Sequence, residues 1–348
     1  MEGNKHRGRT MLNTTSGLML LIASLPLVSL LFPGMATADY STRQITQEFI
    51  ERMVEKHGFS REELTELFEK ATKQEQILDL IARPAEAKPW YQYRPIFLTN
   101  SRIEGGVQFW QEYAETLEKA EEIYGVPPEI IVAIIGVETR YGAHKGNFTV
   151  LSALSTLGFD YPPRSKFFLS ELEQLLILSR EEEISANEFK GSYAGAMGIP
   201  QFIASSYRQY AVDFDGDGRR DLINNEIDAI GSVANYFHEH GWRTGGAIAS
   251  LAEAKMPFDY SGNKLKPGKT IKAYKDLGLI PQNNIPDNAL AAHIALELDD
   301  GYEHWFGFQN FYVITRYNHS ALYAMAVYQL SQEISYRYNL ATEDFAEY

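Results

Sequence analysis

Residues 128–139, PEIIVAIIGVET, constrain this chain more than any other segment. After Glu129 the run is apolar or small through Val137, and then it reaches Glu138. Proline at 127 and 128 suits a helix start, where the missing N–H has no partner to lose. A helix apolar on every side cannot lie on a surface, so the segment predicts a helix in the centre of a domain. Its carboxyl then sits near the helix C-terminus, where desolvation and the negative end of the dipole both disfavour ionisation. Both effects raise the pKa, which a general acid working near neutral pH requires. Position alone leaves a second reading open, a carboxylate paired with Arg140 or capping a neighbouring helix.

Around this segment the chain has 348 residues, 45% of them hydrophobic, enough for a sizeable core and several subdomains. It has no cysteine, which excludes disulfide frameworks, thiolate metal sites, cysteine nucleophiles and thioether lipid anchors. Residues 1–38 read as a secretory signal peptide. Lys5, Arg7 and Arg9 precede an apolar stretch at 17–32, and Ala36-Thr37-Ala38 fits a small-x-small cleavage site. A retained membrane anchor is the rival reading, because the stretch is only slightly short of a spanning helix. Cleavage removes Lys5, Arg7 and Arg9 against Glu2, taking the formal charge from −14 to −16. Such an acidic chain is a poor partner for nucleic acid. Export without cysteine points to a soluble periplasmic protein.

Helical periodicity predicts helices within 45–83, over 107–124 and 128–139, around 151–157 and 167–179, and over 227–240, 311–316 and 321–334. Residues 88–98, PWYQYRPIFL with its leading lysine, read as an aromatic, proline-punctuated connection, and 191–202 as glycine-rich turns. Between 242 and 308, glycines and prolines cut the chain into short pieces such as 270–273 and 293–297, which suits a small β-containing insertion. The expected organisation is a helical N-terminal domain (39–125), a core (126–241), the insertion (242–308) and C-terminal helices returning to the core (309–348).

The second constellation is DFDGDGRRD at 213–221. Asp213, Asp215, Asp217 and Asp221 at loop positions 1, 3, 5 and 9, the Arg219 carbonyl at 7 and Gly218 at 6 match an EF-hand calcium loop. Position 12 holds Asn224 instead of glutamate, so Asp228 is the expected last ligand and Glu226 the second choice. Without a cation, carboxylates this close repel one another. Other motifs weaken. His238-Glu239-His240 cannot present two histidines from one helix face and reads as an exposed helix end. Gly191-Ser192 lacks nucleophile-elbow spacing, and Gly191, Gly195 and Gly198 do not fit a dinucleotide fingerprint, so no organic cofactor is expected. Aromatics make up 13% of residues and cluster near these elements, and tyrosine's flat face and polar tip suit sugar rings.

IIGVETRYG (134–142), GSYAGAMGIPQF (191–202), DFDGDGRRDL with DAIGSVANYF (228–237), and VITRYNHSALYAMAVYQL (313–330) together resemble the lytic murein transglycosylase B family, in the same order. That resemblance implies a mainly α fold with a lysozyme-like, goose-type-like core, and a structural calcium ion in the loop. It also implies cleavage of the β-1,4 bond between N-acetylmuramic acid and N-acetylglucosamine, leaving 1,6-anhydromuramyl ends. Glu138 matches the family's catalytic acid. Ser192, Gln201, Tyr236, Tyr317 and Asn318 match positions lining its saccharide cleft, with Tyr93 and Arg164 from less distinctive sequence. Peptidoglycan strands are the implied partner, with cell-wall synthesis or remodelling complexes as further partners of a monomeric enzyme. Many members carry a lipobox cysteine that this chain lacks. A lysozyme-type muramidase using water and a noncatalytic peptidoglycan-binding protein are the alternatives. Glycosidases ordinarily need two carboxylates, and one well-placed acid suffices only where the nucleophile belongs to the substrate.

Overall fold

The computed structural model describes residues 40–82, 88–255 and 263–346, so the expected signal peptide lies outside the described residues. Helices dominate, as expected. Three helices come first among the described residues, α1 (Gln44–His57), α2 (Arg61–Glu69) and α3 (Glu75–Ile81). Gly58, in the left-handed region, ends α1, and Ser60 caps α2 by accepting the Glu63 N–H.

The aromatic stretch expected to be a connection is instead α4 (Trp90–Phe97). Pro95 lies inside it, but burial of Trp90, Tyr93 and Phe97 along one side outweighs the proline's cost. The helix expected over 107–124 is two, α5 (Asn100–Glu112) and α6 (Ala114–Tyr124), separated where Tyr113 leaves helical geometry.

Next comes α7 (Pro128–Thr139), in which Ile130, Ile131, Ile134 and Ile135 are fully buried. Each contributes about 1.5–3 kcal/mol by leaving water. Helices α5 and α6 pack against α7, together with α11 (Glu226–Glu239) and α14 (Ala321–Ala346). The centre of the molecule is therefore where the apolar run demanded it. Between α7 and α11 the chain forms β1 (Phe148–Thr149), α8 (Val150–Asp160), a 3-10 turn at Pro162–Arg164, α9 (Ser165–Glu181), β2 (Lys190–Gly191) and α10 (Ala204–Tyr210). One hydrophobic core runs from Tyr40 beside the first helices to Ile334 in the last.

Beyond α11 lie β3 (Ala249–Ala254), β4 (Lys269–Thr270), α12 (Ile271–Lys275), β5 (Leu279–Pro281), β6 (Leu290–Leu298), β7 (Gly301–Gly307) and α13 (Gln309–Tyr317). The strands form an antiparallel sheet in the order β4-β6-β7-β3-β5. The expected piece at 270–273 is a strand end followed by α12, capped by the Thr270 hydroxyl. The piece at 293–297 is the middle of the nine-residue β6. The final helix runs well past 334, to Ala346.

Candidate active site

Glu138 lies in the last turn of α7, half-buried, and its Oε1 accepts a 2.6 Å hydrogen bond from the Tyr323 hydroxyl of α14. Burial raises its pKa to about 7, with the Tyr323 hydrogen bond opposing the shift. Burial likewise lifts the Tyr323 hydroxyl well above its ordinary value, so it remains a protonated donor. Arg140 is exposed and makes no ion pair with Glu138, which removes the pairing that sequence left open.

The end of α7 is held from three sides. Arg140 and Tyr141 both adopt positive φ, 50° and 60°, reversing the chain after Glu138. The Thr139 hydroxyl donates to the Ile199 carbonyl at 2.8 Å, tying the helix to the glycine-rich segment. Tyr141 folds back so that its hydroxyl donates to the Arg102 carbonyl at 2.7 Å, and a Cβ on Gly136 would stand 2.5 Å from that oxygen. The buried Arg102 donates to the carbonyls of Gly136, Ile96 and Phe97, joining α4, α5 and α7, and burial lowers its pKa to about 10.

Tyr317 lies 6.5 Å from Tyr323 with rings nearly parallel, and Tyr236 meets Tyr317 edge-on at 4.9 Å. Their hydroxyls donate to backbone carbonyls, Tyr317 to Pro200 and Tyr236 to Arg316, which pins both rings. Gln201, at φ 53°, donates its amide to Gly198 and Lys145, while its Oε1 is buried without a hydrogen-bond partner. Asn318 Oδ1 is buried in the same condition. The Ser192 hydroxyl is buried and accepts the N–H groups of Ala194 and Ala196, so it holds the turn. Gly198, at φ 72°, has no room for a Cβ against the Leu222 carbonyl.

Tyr93 is buried, stacked on Trp90, and close enough to Tyr323 to act on its ionisation. Arg164 is placed elsewhere, its guanidinium over the rings of Phe167 and Phe168. His240 is not an exposed helix end, because it stacks on Tyr236 at 4.0 Å. Sequence reading missed Tyr323 as a site residue. Its only signal was that it lies within the last quoted motif, six residues beyond Tyr317.

The acidic loop is built differently. Asp213, Asp215 and Asp217 bring carboxylate oxygens within 4.8 Å of one another. Asp213 accepts the N–H groups of Gly216, Asp217 and Gly218, and Asp217 accepts that of Arg219. An oxygen-only donor set of this kind fits a hard divalent cation. Asp228 is buried, and its two oxygens accept the N–H groups of Phe214 and Asp221, closing the two ends of the loop. Asp221 accepts the N–H groups of Ile223 and Asn224, and the carboxylate of Glu226 points toward Gly142.

The model of the transglycosylase SLT domain matches residues 41–332. The chain belongs to this lytic transglycosylase family. It is 45% identical over 307 residues to membrane-bound lytic murein transglycosylase B of Escherichia coli K12, covering 85% of this chain and 84% of the relative. Lytic transglycosylase SltB1 of Pseudomonas aeruginosa superposes with a TM-score of 0.82 at 47% identity, over 86% of this chain and 100% of that one. Escherichia coli lytic transglycosylase Slt35 in complex with calcium matches with a TM-score of 0.81 at 44% identity, over 87% and 96%. Among the described residues, no helix of this transglycosylase is long and apolar enough to cross a membrane.

Proposed function

We propose that this lytic transglycosylase cleaves the β-1,4 bond between N-acetylmuramic acid and N-acetylglucosamine in peptidoglycan with Glu138 as its single acid and base. The carrying observation is the solitude of that carboxyl. Burial raises its pKa, and the side chain that hydrogen-bonds it is the neutral Tyr323 hydroxyl, not a second carboxylic acid. A pKa of about 7 leaves a substantial protonated fraction at neutral pH, able to protonate the leaving glycosidic oxygen. The carboxylate so formed takes the proton of the muramoyl C6 hydroxyl as that oxygen attacks C1, and a 1,6-anhydro end results. The nucleophile is tethered to the sugar, so no positioned water or second carboxylate is needed. Gln201 and Asn318 offer buried carbonyl oxygens to substrate N–H or hydroxyl groups, and Tyr236, Tyr317 and Tyr93 supply ring surfaces.

A calcium ion in the loop belongs to the same proposal, held by Asp213, Asp215, Asp217 and the Arg219 carbonyl, with Asp228 as the closing group and a structural role. The carboxylate trio and the calcium complex of Slt35 support it. Export through residues 1–38, a periplasmic soluble location and contacts with cell-wall synthesis or remodelling complexes follow from the sequence reading alone. Mass spectrometry of sacculi digested by the protein tests the reaction. Anhydromuramyl ends are expected, and reducing ends in their place would mark a hydrolase.

A further inference from the structure

Away from the candidate cleft, a concavity of about 580 Å³ opens between α4, the β6–β7 hairpin and α14. We propose that it is a remote saccharide subsite, taking an N-acetylated amino sugar of the same glycan strand against Trp305. The inference deepens the proposed function and rests on it for the strand's identity.

Its walls carry the two kinds of surface a sugar needs. Trp305 and Tyr328 meet nearly at right angles, with ring centroids 6.2 Å apart, and form an aromatic corner. The indole N–H of Trp305 is already donated to Glu303 at 2.6 Å, which pins the ring and leaves its apolar face as the surface on offer. A rigid flat face of this kind suits the C–H face of a pyranose. Opposite it stand planar polar groups. Arg94 donates to Gln329 at 2.7 Å, which orients both side chains, and Gln332 and Glu333 add exposed donors and acceptors from the next turn. Carboxylates among these groups disfavour a phosphate or nucleotide, and the alternation of ring and amide disfavours a purely apolar ligand.

Two connections relate the concavity to the reaction. Trp90 lines it and stacks on Tyr93, which in turn lies close to Tyr323. Tyr323, which holds Glu138, and Gln332 lie on the same helix, about 14 Å apart along its axis and turned to opposite sides of it. A strand engaged at Glu138 must pass around α14 to reach the concavity, so only a long one can occupy both. Long strands thereby gain a contact that short fragments cannot make.

The test compares Trp305→Ala, Trp305→Phe and Gln332→Ala in the full chain, on long uncross-linked glycan strands and on the shortest fragment the protein cleaves. Trp305→Ala is expected to raise KM for long strands about three- to tenfold, in line with one lost ring contact, with kcat and the short-fragment kinetics unchanged. Trp305→Phe is expected to restore most of the loss, and Gln332→Ala, on an exposed turn, to shift KM the same way without affecting folding. A binding readout stands beside it. In Glu138→Gln protein, an N-acetylglucosamine tetramer should give a saturable change in tryptophan fluorescence that Trp305→Ala weakens. Equal KM ratios for long and short substrates in all three variants, or unaltered tetramer binding in Trp305→Ala, would overturn the subsite. Failure of the reaction itself reads out separately, as the absence of anhydro ends from the unmodified chain.

Discussion

The end of α7 and the loop at 213–221 both depend on carboxylates, yet the structure treats them in opposite ways. Glu138 is withdrawn into the protein, and its charge is suppressed by burial in spite of the one neutral donor it is given. Asp213, Asp215 and Asp217 are crowded and largely solvated, and backbone N–H groups converge on them. A proton donor needs the first arrangement and a cation site the second. The same functional group thus serves two chemistries, and the deciding variable is the company each carboxylate keeps.

Removing the isolated carboxyl should have the largest effect. Glu138→Gln is expected to lower peptidoglycan lysis by about 10²–10⁴-fold while the protein still folds and binds murein. Retained lysis in a turbidity assay of sacculi would place the acid elsewhere. The same variant carries a stability signature of definite sign. Because the folded-state pKa is raised from 4.5 to about 7, Glu138 costs nothing while both states are protonated below the ordinary carboxyl range, and a penalty grows as pH rises from about 4.5 and levels off above about 7. Thermal melts should therefore show Glu138→Gln gaining on the unmodified chain between pH 4.5 and 7 and holding that gain above it, on the order of 3 kcal/mol. The upper limb of the kcat/KM profile should fall through about pH 7 for the same reason.

For the acidic loop the expected effect falls on stability alone. Calcium at a hundred times its dissociation constant should stabilise by about 2.7 kcal/mol, read as several degrees of melting temperature that a chelator removes. Asp213→Asn should abolish that calcium dependence. A melting temperature indifferent to both chelator and calcium would leave the loop a solvated turn. Asp228→Asn tests the frame that holds the loop. It exchanges a carboxylate accepting two backbone N–H groups for an amide that can accept through one oxygen, with an expected cost of about 1–3 kcal/mol by denaturant melt.

The finest test of the comparison is Tyr323→Phe. Its hydroxyl opposes the burial-driven rise at Glu138, so losing it should move the upper pH limb further up while reducing the maximum rate. An unmoved limb would mean that the hydrogen bond contributes nothing to the acid's protonation.

Much of the candidate site was legible in the sequence because the relevant patterns are local. An all-apolar run must be central, and a carboxyl at its end must share that burial. Aspartates at alternate positions around glycines must converge. The α4 segment was misread because its prolines and aromatics carry turn chemistry, while the burial of Trp90, Tyr93 and Phe97 that makes it a helix comes from partners distant in the chain. Tyr323 stayed hidden because nothing near residue 323 announces a contact with a carboxyl 185 residues earlier. Asp228 is the intermediate case. Its spacing from the loop marked it, but only the fold shows it bonded to the backbone of Phe214 and Asp221.

The sequence alone therefore determined the central helix, the identity of the candidate acid, the acidic loop and the family likeness, because periodicity and spacing along the chain encode them. Tertiary structure decided the protonation of Glu138, the aromatic company of Tyr317, Tyr236 and Tyr323, and the concavity beside Trp305. Each of those depends on which distant surfaces exclude water from a given group, and short-range pattern holds no record of that.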